Sequence, residues 1–418
     1  MNRLTVVLLC VVLVSLPAWA AERTITYWIW DINQLIGTEM MIEAFAAQYD
    51  IDVEVVLVPW GEYWDKLPVA LASGAGPDVY WMTMHHFGTM REAGMVLNLQ
   101  PLLDRDPEAQ AHFDAMWPVL REAYSYQGDA YGFPRDYDSI AVFYNADAMA
   151  EAGLVEPKEI EDTWTWDDLL EYARRLTVRS GDEVRRWGYR SVNEGQQYWY
   201  NFIRANGGDI FNAEGTAATL NTPQVAQAIQ FMVDLRHVYR VAPDGWDDGF
   251  IDGSIAMDND GPWMLSAYIG VTPFEWNVAE LPASPHTGMK SNVIHGLANV
   301  INPHTKDLEA AFTFAKFLAS YEAQSILGAT STVIPSRMDA SHTWFAPDLY
   351  PSNRLAFQRA LAYAKPIPAS PYVARSVWSP VLDDLINQAL TRAISVEEAL
   401  HQADRFLNAV IQEAMRGK

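Results

Sequence analysis

Strand and helix patterns alternate regularly near the start of the chain, and this alternation restricts the fold more than any other feature. Residues 24–30 (TITYWIW) and 52–58 (DVEVVLV) are β-rich, and residues 79–81 (VYW) form a third short apolar strand. Apolar residues recur at helical spacing over residues 40–49 and 60–71, between these strands. Strands joined by helices pair in parallel, so the pattern predicts a parallel α/β sheet.

The remainder of the chain predicts a second, more helical lobe. Thr165 and Asp168 form a capping-box pattern before an amphipathic segment. Further strands are predicted at residues 139–144, 254–258, 276–280 and 293–301, and further helices at 198–239, 308–318, 353–364 and 396–415. A chain of 418 residues is long enough for two or three lobes. No low-complexity linker separates the segments, so we expect two lobes joined by several short crossings.

The N-terminus has the pattern of a secretory signal peptide. Arg3 precedes an apolar run over residues 4–16, and Ala18-Trp19-Ala20 fits a cleavage site. The run is too short to span a bilayer, so we expect cleavage after Ala20 and a signal peptide of residues 1–20. The single cysteine, Cys10, lies inside this segment, and Leu9 before it does not fit a lipid-attachment site. We therefore expect a freely diffusing periplasmic protein without disulfides.

Charge and motifs exclude several classes of function. The formal net charge of −24 disfavours nucleic acid and anionic membranes as partners. The chain contains no Gly-x-Ser-x-Gly, no His-Glu-x-x-His and no phosphate-cradling Gly-Lys-Ser/Thr motif. We therefore predict no catalytic residues, no metal site and no cofactor.

Seven segments, in order, resemble the extracellular solute-binding proteins of carbohydrate ABC importers, the maltose-binding-like family 1. The segments are the strand TITYWIW, Gly76-Pro-Asp-Val79, Gly94-Met-Val-Leu-Asn-Leu-Gln-Pro-Leu103, Tyr131-Gly-Phe-Pro-Arg-Asp-Tyr-Asp138 with Phe143-Tyr-Asn145, Thr163-Trp-Thr-Trp-Asp-Asp-Leu169, residues 252–263 (DGSIAMDNDGPW), and residues 310–324 with Val333-Ile-Pro-Ser-Arg337. Together they cover nearly the whole mature chain.

This resemblance implies a periplasmic-binding-protein-like type II fold, in which two α/β lobes are joined by a three-crossing hinge and hold the ligand in the cleft. We expect residues 21–134 and 278–334 to form lobe 1, and residues 135–277 and 335–418 to form lobe 2. The implied function is capture of a mono- or oligosaccharide and its delivery to ABC importer permease subunits. Hinge closure over the ligand suits a carrier, so we expect that the protein is not an enzyme. We also expect a monomer.

Ligand-binding candidates in lobe 1 follow the ends of predicted strands, where open α/β sheets expose their binding crevice. Aromatic rings suit the C–H faces of sugars, and planar polar groups suit their hydroxyls. Buried packing is the competing interpretation for each aromatic residue. The candidates are Trp30, Asp31, Trp60, Glu62, Tyr63, Met84 and His85.

Other candidates lie in the lobe crossing, in lobe 2 and in late loops. The resemblance implies that Trp263 stacks on a sugar ring, and that His295-Gly296 stands where the family often has Gly-Gly. The candidates are Asp136, Tyr137, Trp199, Gly261, Trp263, His295, Gly296, Arg337 and Trp378.

Three alternatives stay open at this point. Glycerol 3-phosphate would need arginines in the cleft, for which Arg135, Arg337 and Arg375 are candidates. A polyamine would need several carboxylates around aromatic walls. A secreted glycoside-active enzyme would need a fixed carboxylate pair, but no compact motif specifies one among 53 acidic residues.

Overall fold

A computed structural model describes residues 23–245, 249–270, 272–346 and 348–416. The predicted signal peptide, with Cys10 and the cleavage site after Ala20, lies outside the described residues.

Lobe 1 is built on a five-stranded sheet that confirms the predicted strand–helix alternation. The strand order is Asp52–Leu57, Thr24–Ile29, Val79–Thr83, Leu297–Ile301 and Phe133–Pro134. The first three strands pair in parallel, as predicted. Leu297–Ile301 enters the sheet from a crossing and pairs antiparallel with both of its neighbours, Val79–Thr83 and Phe133–Pro134.

Helices cover both faces of this sheet. One face packs against a cluster that includes Phe45 and Phe314, and the other against Tyr63 and Leu67. The helices of this lobe are Leu35–Ala46, Trp60–Ser73, Met84–Glu92, Gln100–Leu103, Pro107–Asp114, Pro118–Ala123, Leu308–Leu318 and Tyr321–Ala329. A hairpin, Ser125–Tyr126 with Asp129–Ala130, and the 3₁₀ turn Ile32–Gln34 complete the lobe.

Lobe 2 has a smaller sheet and more helix, as predicted. Its central strand Ala141–Asn145 pairs antiparallel with Met257–Asp260 on one side and Trp276–Glu280 on the other. The helices are Ala146–Glu151, Trp166–Leu176, Tyr200–Ala205, Pro223–His237, Leu265–Tyr268, Leu355–Arg359, Arg375–Leu390 and Val396–Arg416. Two further pairs of short strands are present: Val178–Ser180 pairs with Glu183–Arg186, and Asn292–Ile294 pairs with Ala364–Pro366.

The helix Trp166–Leu176 begins where the sequence predicts. The Thr165 hydroxyl accepts a hydrogen bond from the Asp168 backbone N–H, and the Asp168 carboxylate accepts one from the Thr165 backbone N–H. This reciprocal pair satisfies two N–H groups that the first turn leaves unpaired. The capping-box prediction is therefore confirmed.

Three neighbouring chain segments join the lobes in the described residues. The strand Asp136–Tyr137 pairs with Ile334–Pro335, and Asp138 forms a bridge with His295. The Arg135 backbone N–H donates to the Leu297 carbonyl at 2.7 Å. The predicted three-crossing hinge between two α/β lobes is confirmed.

One predicted lobe boundary differs from the observed strand pairing. The boundary at residue 278 falls inside the strand Trp276–Glu280, which pairs along its whole length with Ala141–Asn145 of lobe 2. The return crossing lies instead between Ile294 and Leu297, at the hinge. The predicted strand is confirmed, but a β-rich segment does not specify which of two sheets it joins. The other lobe limits stay predictions.

None of the helices in the described part of the chain combines the length and apolar composition needed to cross a bilayer.

Candidate functional site

The candidate site is a cavity of about 610 Å³ between the lobes. Lobe 1 contributes side chains from the carboxyl ends of its parallel strands, as expected for an open α/β sheet. The hinge forms part of the wall, and lobe 2 closes the opposite side. The lining side chains are Trp30, Asp31, Gln34, Trp60, Thr83, His85, Asp136, Tyr137, Asp138, Arg190, Asn193, Glu194, Gln196, Gln197, Tyr198, Tyr200, Asp260, Pro262, Trp263, Met264, His295, Leu297, Val333, Arg375 and Asp383.

An aromatic surface lines the lobe 1 side of the cavity. Trp30 follows the first strand, and its ring lies 5.2 Å from the Trp60 ring and 5.0 Å from the Trp81 ring, edge-on to both. Trp81 is fully buried and fixes Trp30 from behind, whereas Trp60 is 50% exposed at the rim. An exposed ring held by a buried aromatic cluster provides a flat apolar surface that loses little freedom when a ligand binds.

Trp263 provides an aromatic surface on the lobe 2 side. It lies in the turn Pro262–Met264, which directly follows the strand Met257–Asp260. The Trp263 ring covers Gly261 so closely that a Cβ atom there would lie 2.0 Å from the ring. A side chain at position 261 would therefore displace the Trp263 ring.

A buried polar network fixes the hinge against the cavity. The Arg135 guanidinium pairs with Asp136, donates to Gln34 Oε1 at 2.8 Å, and lies 4.2 Å from the Trp81 ring centre. Gln34 Nε2 in turn donates to Asp31 Oδ2 at 2.9 Å. Burial raises the pKa of Asp136, and the neighbouring Arg135 charge opposes that shift. This network orients Asp31 and Asp136 at the cavity wall.

A second group links the hinge to both lobes. Asp138 Oδ1 accepts a hydrogen bond from Gln196 Nε2 at 2.8 Å, and its Oδ2 lies 3.2 Å from His295 Nδ1. The His295 ring lies 4.3 Å from the ring of His85, which comes from lobe 1. Burial, with smaller contributions from His295 and Arg375, lowers the pKa of His85 well below its usual value. His85 is therefore neutral at physiological pH.

Lobe 2 contributes carboxylates from one face of its edge strand. Asp258 pairs with Arg190 at 3.0 Å and accepts from the Tyr198 hydroxyl, and Asp260 lies two residues further on the same face. Burial, followed by the charge of Asp258, raises the pKa of Asp260 well above its usual range. Burial also raises the pKa of Glu194 to about 7. Asp260 and Glu194, which line the cavity, offer ligand hydroxyls acceptors, or donors where they are protonated.

The cavity brings together half of the residues that the sequence singles out. They come from three separate parts of the chain: the strand ends of lobe 1, the hinge and the turn after a lobe 2 strand. They are Trp30, Asp31, Trp60, His85, Asp136, Tyr137, Trp263 and His295. Their contacts with a ligand stay predictions.

Three aromatic or apolar candidates lie in packed regions instead of the cavity wall. Tyr63 is fully buried beneath Trp30, and its hydroxyl donates to the Trp81 carbonyl at 2.9 Å. Trp199 is fully buried in the main core of lobe 2, against Tyr200. Met84 packs against two hydrophobic core clusters and lines a neighbouring cavity. A position directly after a strand or before a helix is compatible both with burial in a core and with exposure to the cavity.

The remaining candidates have structural partners away from the cavity wall. Glu62 pairs with Lys66 on the surface. Arg337 donates to Asp339 at 2.7 Å, and Trp378 is buried in lobe 2. Gly261 and Gly296 contribute close packing, since a Cβ on Gly296 would lie 2.4 Å from the Asp136 carbonyl oxygen.

Several polar lining residues are not predicted by the sequence. Residues 193–197 (NEGQQ) form one wall, together with Arg190, Arg375 and Asp383. A polar run directly before the aromatic stretch Tyr198-Trp199-Tyr200 was the available signal for the first of these. No comparable signal marked Asp383, which lies within the long helix Arg375–Leu390.

Comparison with known proteins places this geometry in a family. The model of the family described as bacterial extracellular solute-binding protein matches residues 40–351. The arabinooligosaccharide-binding protein of Halalkalibacterium halodurans is 23% identical, over 90% of this chain and 90% of that protein. The maltooligosaccharide ABC transporter solute-binding lipoprotein of Streptococcus pneumoniae is 23% identical, over 99% of this chain and 96% of that protein.

A solved structure has the same fold. An ABC substrate-binding protein of Listeria monocytogenes, in complex with cycloalternan, superposes with a TM-score of 0.83 at 24% identity, over 94% of this chain and 99% of that chain. Since the family match spans well over half of the chain, this protein belongs to the bacterial extracellular solute-binding protein family.

Proposed function

We propose that this protein is the substrate-binding component of an ABC importer, which captures a mono- or oligosaccharide between its lobes and delivers it to the membrane permease. One observation carries the proposal: aromatic rings from both lobes face a single interlobe cavity whose other walls are polar. Trp30 and Trp60 line one side, and Trp263 lines the other.

This combination suits carbohydrate better than other small ligands. Pyranose rings present apolar C–H faces to aromatic surfaces and hydroxyls to planar polar side chains at their edges. Asp31, Asp138 and Gln196 provide such polar groups, each oriented by a hydrogen bond to a neighbour. The cavity of about 610 Å³ lies within the range of roughly 300–1,000 Å³ that is usual for small-molecule sites.

The relatives support the same substrate class. Two of them are named as binding arabinooligosaccharide and maltooligosaccharide, and the Listeria protein was solved with cycloalternan. The Streptococcus protein is also named as part of an ABC transporter, which supports permease subunits as the partners of this chain.

The proposal also covers the export, location and oligomeric state of the protein and the fate of its ligand. We propose that it is exported and cleaved after Ala20, that it works in the periplasm as a monomer, and that it releases its ligand chemically unchanged. The secretory pattern of residues 1–20 and the extracellular family support export. The binding-protein names of the relatives support a carrier over an enzyme.

Of the alternative ligands, a phosphate ester has little support from the three candidate arginines Arg135, Arg337 and Arg375. Arg135 is committed to Asp136 and Gln34, and Arg337 to Asp339. Of these three arginines, only Arg375 lines the cavity. A polyamine remains an alternative because Asp31, Glu194 and Asp260 also line it.

A thermal-shift screen of the mature protein against sugars, polyols, sugar phosphates and polyamines tests the proposal. A ligand at 100 times its dissociation constant adds about 2.7 kcal/mol to the free energy of unfolding. We expect at least one sugar to raise the melting temperature and to be recovered intact by chromatography. A shift with only phosphate esters or amines would exclude the sugar, and cleavage of an added oligosaccharide would exclude the carrier role.

A further inference from the structure

The interlobe cleft continues beyond the main cavity into a second cavity of about 680 Å³. The second cavity lies between the lobe 1 helix Met84–Glu92 and residues 366–374 of lobe 2. Three nitrogen-bearing side chains, His85, His295 and Arg375, line both cavities and therefore form the junction between them. A ligand group at this junction would contact all three.

Arg375 is a cation without a paired carboxylate. Its guanidinium lies between the rings of Tyr200 and Trp378, at 5.8 Å and 5.6 Å from their centres. Nη1 is buried and has no hydrogen-bond partner, and no carboxylate in the described part of the chain lies within ion-pair distance. Asp383, two helical turns further along, accepts a hydrogen bond from Ser379 instead. The charge of Arg375 is thus available to a ligand.

His295 presents a second unpartnered nitrogen at the same place. The residue is only 6% exposed, and its Nδ1 faces Asp138. Its Nε2 is buried and has no hydrogen-bond partner in the described residues. A buried polar atom without a partner destabilises the protein. Because His295 lines both cavities, a ligand group at the junction would supply the missing partner.

The helix that begins at Arg375 adds to the positive potential. This helix, Arg375–Leu390, has 16 residues, no side-chain cap at Ala374 and no acidic residue in its first turn. Ala374 and Arg375 both line the second cavity. The free N–H groups of an uncapped helix start attract negative charge. An unpaired guanidinium, an imidazole with an unpartnered nitrogen and a helix N-terminus therefore all lie where the two cavities meet.

We propose that the junction of His85, His295 and Arg375 binds the carboxylate of an acidic sugar, so that the ligand is a uronate-bearing saccharide. This inference rests on the proposed function and specifies its substrate class. One unpaired guanidinium with two imidazoles matches a single negative charge, and the planar guanidinium fits a carboxylate bidentately. A phosphate ester shares the anion chemistry but brings up to two charges, so the experiment tests it separately.

Calorimetric titration of the full mature protein with matched saccharides tests the assignment. The pairs are glucuronate against glucose, galacturonate against galactose, and the α-linked disaccharide of galacturonate against that of galactose. Glucose 6-phosphate is the phosphate arm. We expect at least one uronate to bind at least about tenfold more tightly than its neutral partner, the size of effect typical of a charge-assisted hydrogen bond.

The variant Arg375→Gln separates this inference from the proposed function. It should weaken uronate binding by at least about tenfold and neutral sugar binding by less than about threefold, because only the carboxylate uses the charge. Arg375→Lys should retain part of the uronate preference. Arg186→Gln is the matched control, because Arg186 pairs with Glu151 in the same lobe, outside both cavities. Melting temperatures of all three variants check that they fold.

Each other outcome is decisive. Equal or tighter binding of every neutral partner, or an equal loss for both sugars in Arg375→Gln, overturns the acidic-sugar assignment and leaves the proposed function standing. If glucose 6-phosphate binds and no uronate does, the acidic-sugar assignment is also overturned, in favour of a phosphate ester. Failure of every saccharide, acidic or neutral, to bind overturns the proposed function itself.

Discussion

At the scale of single residues, the proposed sugar contact depends most on Trp263. Its ring lies over Gly261 on the lobe 2 wall, opposite the Trp30 and Trp60 pair of lobe 1. Replacement by alanine should weaken sugar binding by about 1 kcal/mol or more, because stacked aromatic rings are frequent centres of binding energy. Calorimetric titration with the sugar found in the thermal-shift screen measures this loss.

The matched control for Trp263 is Tyr321→Ala. Tyr321 is an exposed aromatic residue, 45% accessible, on a lobe 1 helix outside the cavity. This variant should bind the sugar as the wild type does. Unchanged affinity in Trp263→Ala would remove this side chain from the ligand contact.

Glu194 predicts a dependence of stability on pH. Burial raises its pKa from 4.5 to about 7, so the folded protein holds this proton more tightly than the unfolded chain does. The resulting stabilisation is fully present below pH 4.5 and is lost as the pH rises through about 7. Glu194→Gln cannot ionise, so its melting temperature should exceed that of the wild type increasingly from pH 5 to pH 8, by at least about 2 °C.

Glu62→Gln controls for the loss of a carboxylate as such, because Glu62 is more than half exposed and pairs with Lys66 on the surface. The difference between its melting temperature and that of the wild type should stay constant over this pH range. A constant difference for Glu194→Gln as well would show that Glu194 has an ordinary pKa in the folded protein.

The sequence predicts individual site residues only in part, for a physical reason. Trp30 and Tyr63 both follow or lie near strand ends, yet Trp30 faces the cavity and Tyr63 packs beneath it. Trp199 likewise precedes a helix and is buried. A large aromatic side chain gains free energy from burial in a core or against a ligand, and local sequence does not distinguish the two.

At the scale of elements, the hinge segments position the polar groups of the site. Gly296 lets the return crossing approach the first crossing, and its carbonyl accepts from the Tyr124 hydroxyl at 2.8 Å. A Cβ at this position would lie 2.4 Å from the backbone oxygen of Asp136, which cannot move aside as a flexible side chain would. The hinge therefore tolerates only glycine at this position.

Gly296→Ala should accordingly lower the free energy of unfolding by about 1–3 kcal/mol, the usual cost of overpacking. Thermal denaturation measures the change. Gly61→Ala is the control, since a Cβ there meets no atom within 4 Å. If Gly296→Ala melts at the wild-type temperature, the hinge is looser than this close approach indicates.

Element types were more predictable than their membership of a lobe. The strands Thr24–Ile29 and Trp276–Glu280 and the helix Leu308–Leu318 match their sequence patterns closely. Yet Trp276–Glu280 joins lobe 2, although its last three residues lie within the segment expected in lobe 1. Periodicity reports the local conformation and its burial, whereas the choice of sheet depends on pairing with residues more than a hundred positions away.

At the scale of the whole molecule, the lobes meet on both sides of the main cavity as well as at the hinge. The turn Ile32–Gln34 of lobe 1 contacts Pro262–Met264 and Leu265–Tyr268 of lobe 2. On the other side, the helix Met84–Glu92 contacts Arg375–Leu390. These contacts bring Trp30 and Trp263 to opposite walls of one cavity. A ligand that binds both lobes stabilises this arrangement relative to an open one.

Isothermal titration of the mature protein with a panel of mono- and oligosaccharides tests the central claim most directly. We predict saturable binding of at least one carbohydrate to one site per protein molecule, weakened by Trp263→Ala and reversed by dialysis with the sugar intact. The account would be contradicted if no carbohydrate bound while glycerol 3-phosphate or a polyamine did, or if the bound sugar were recovered cleaved.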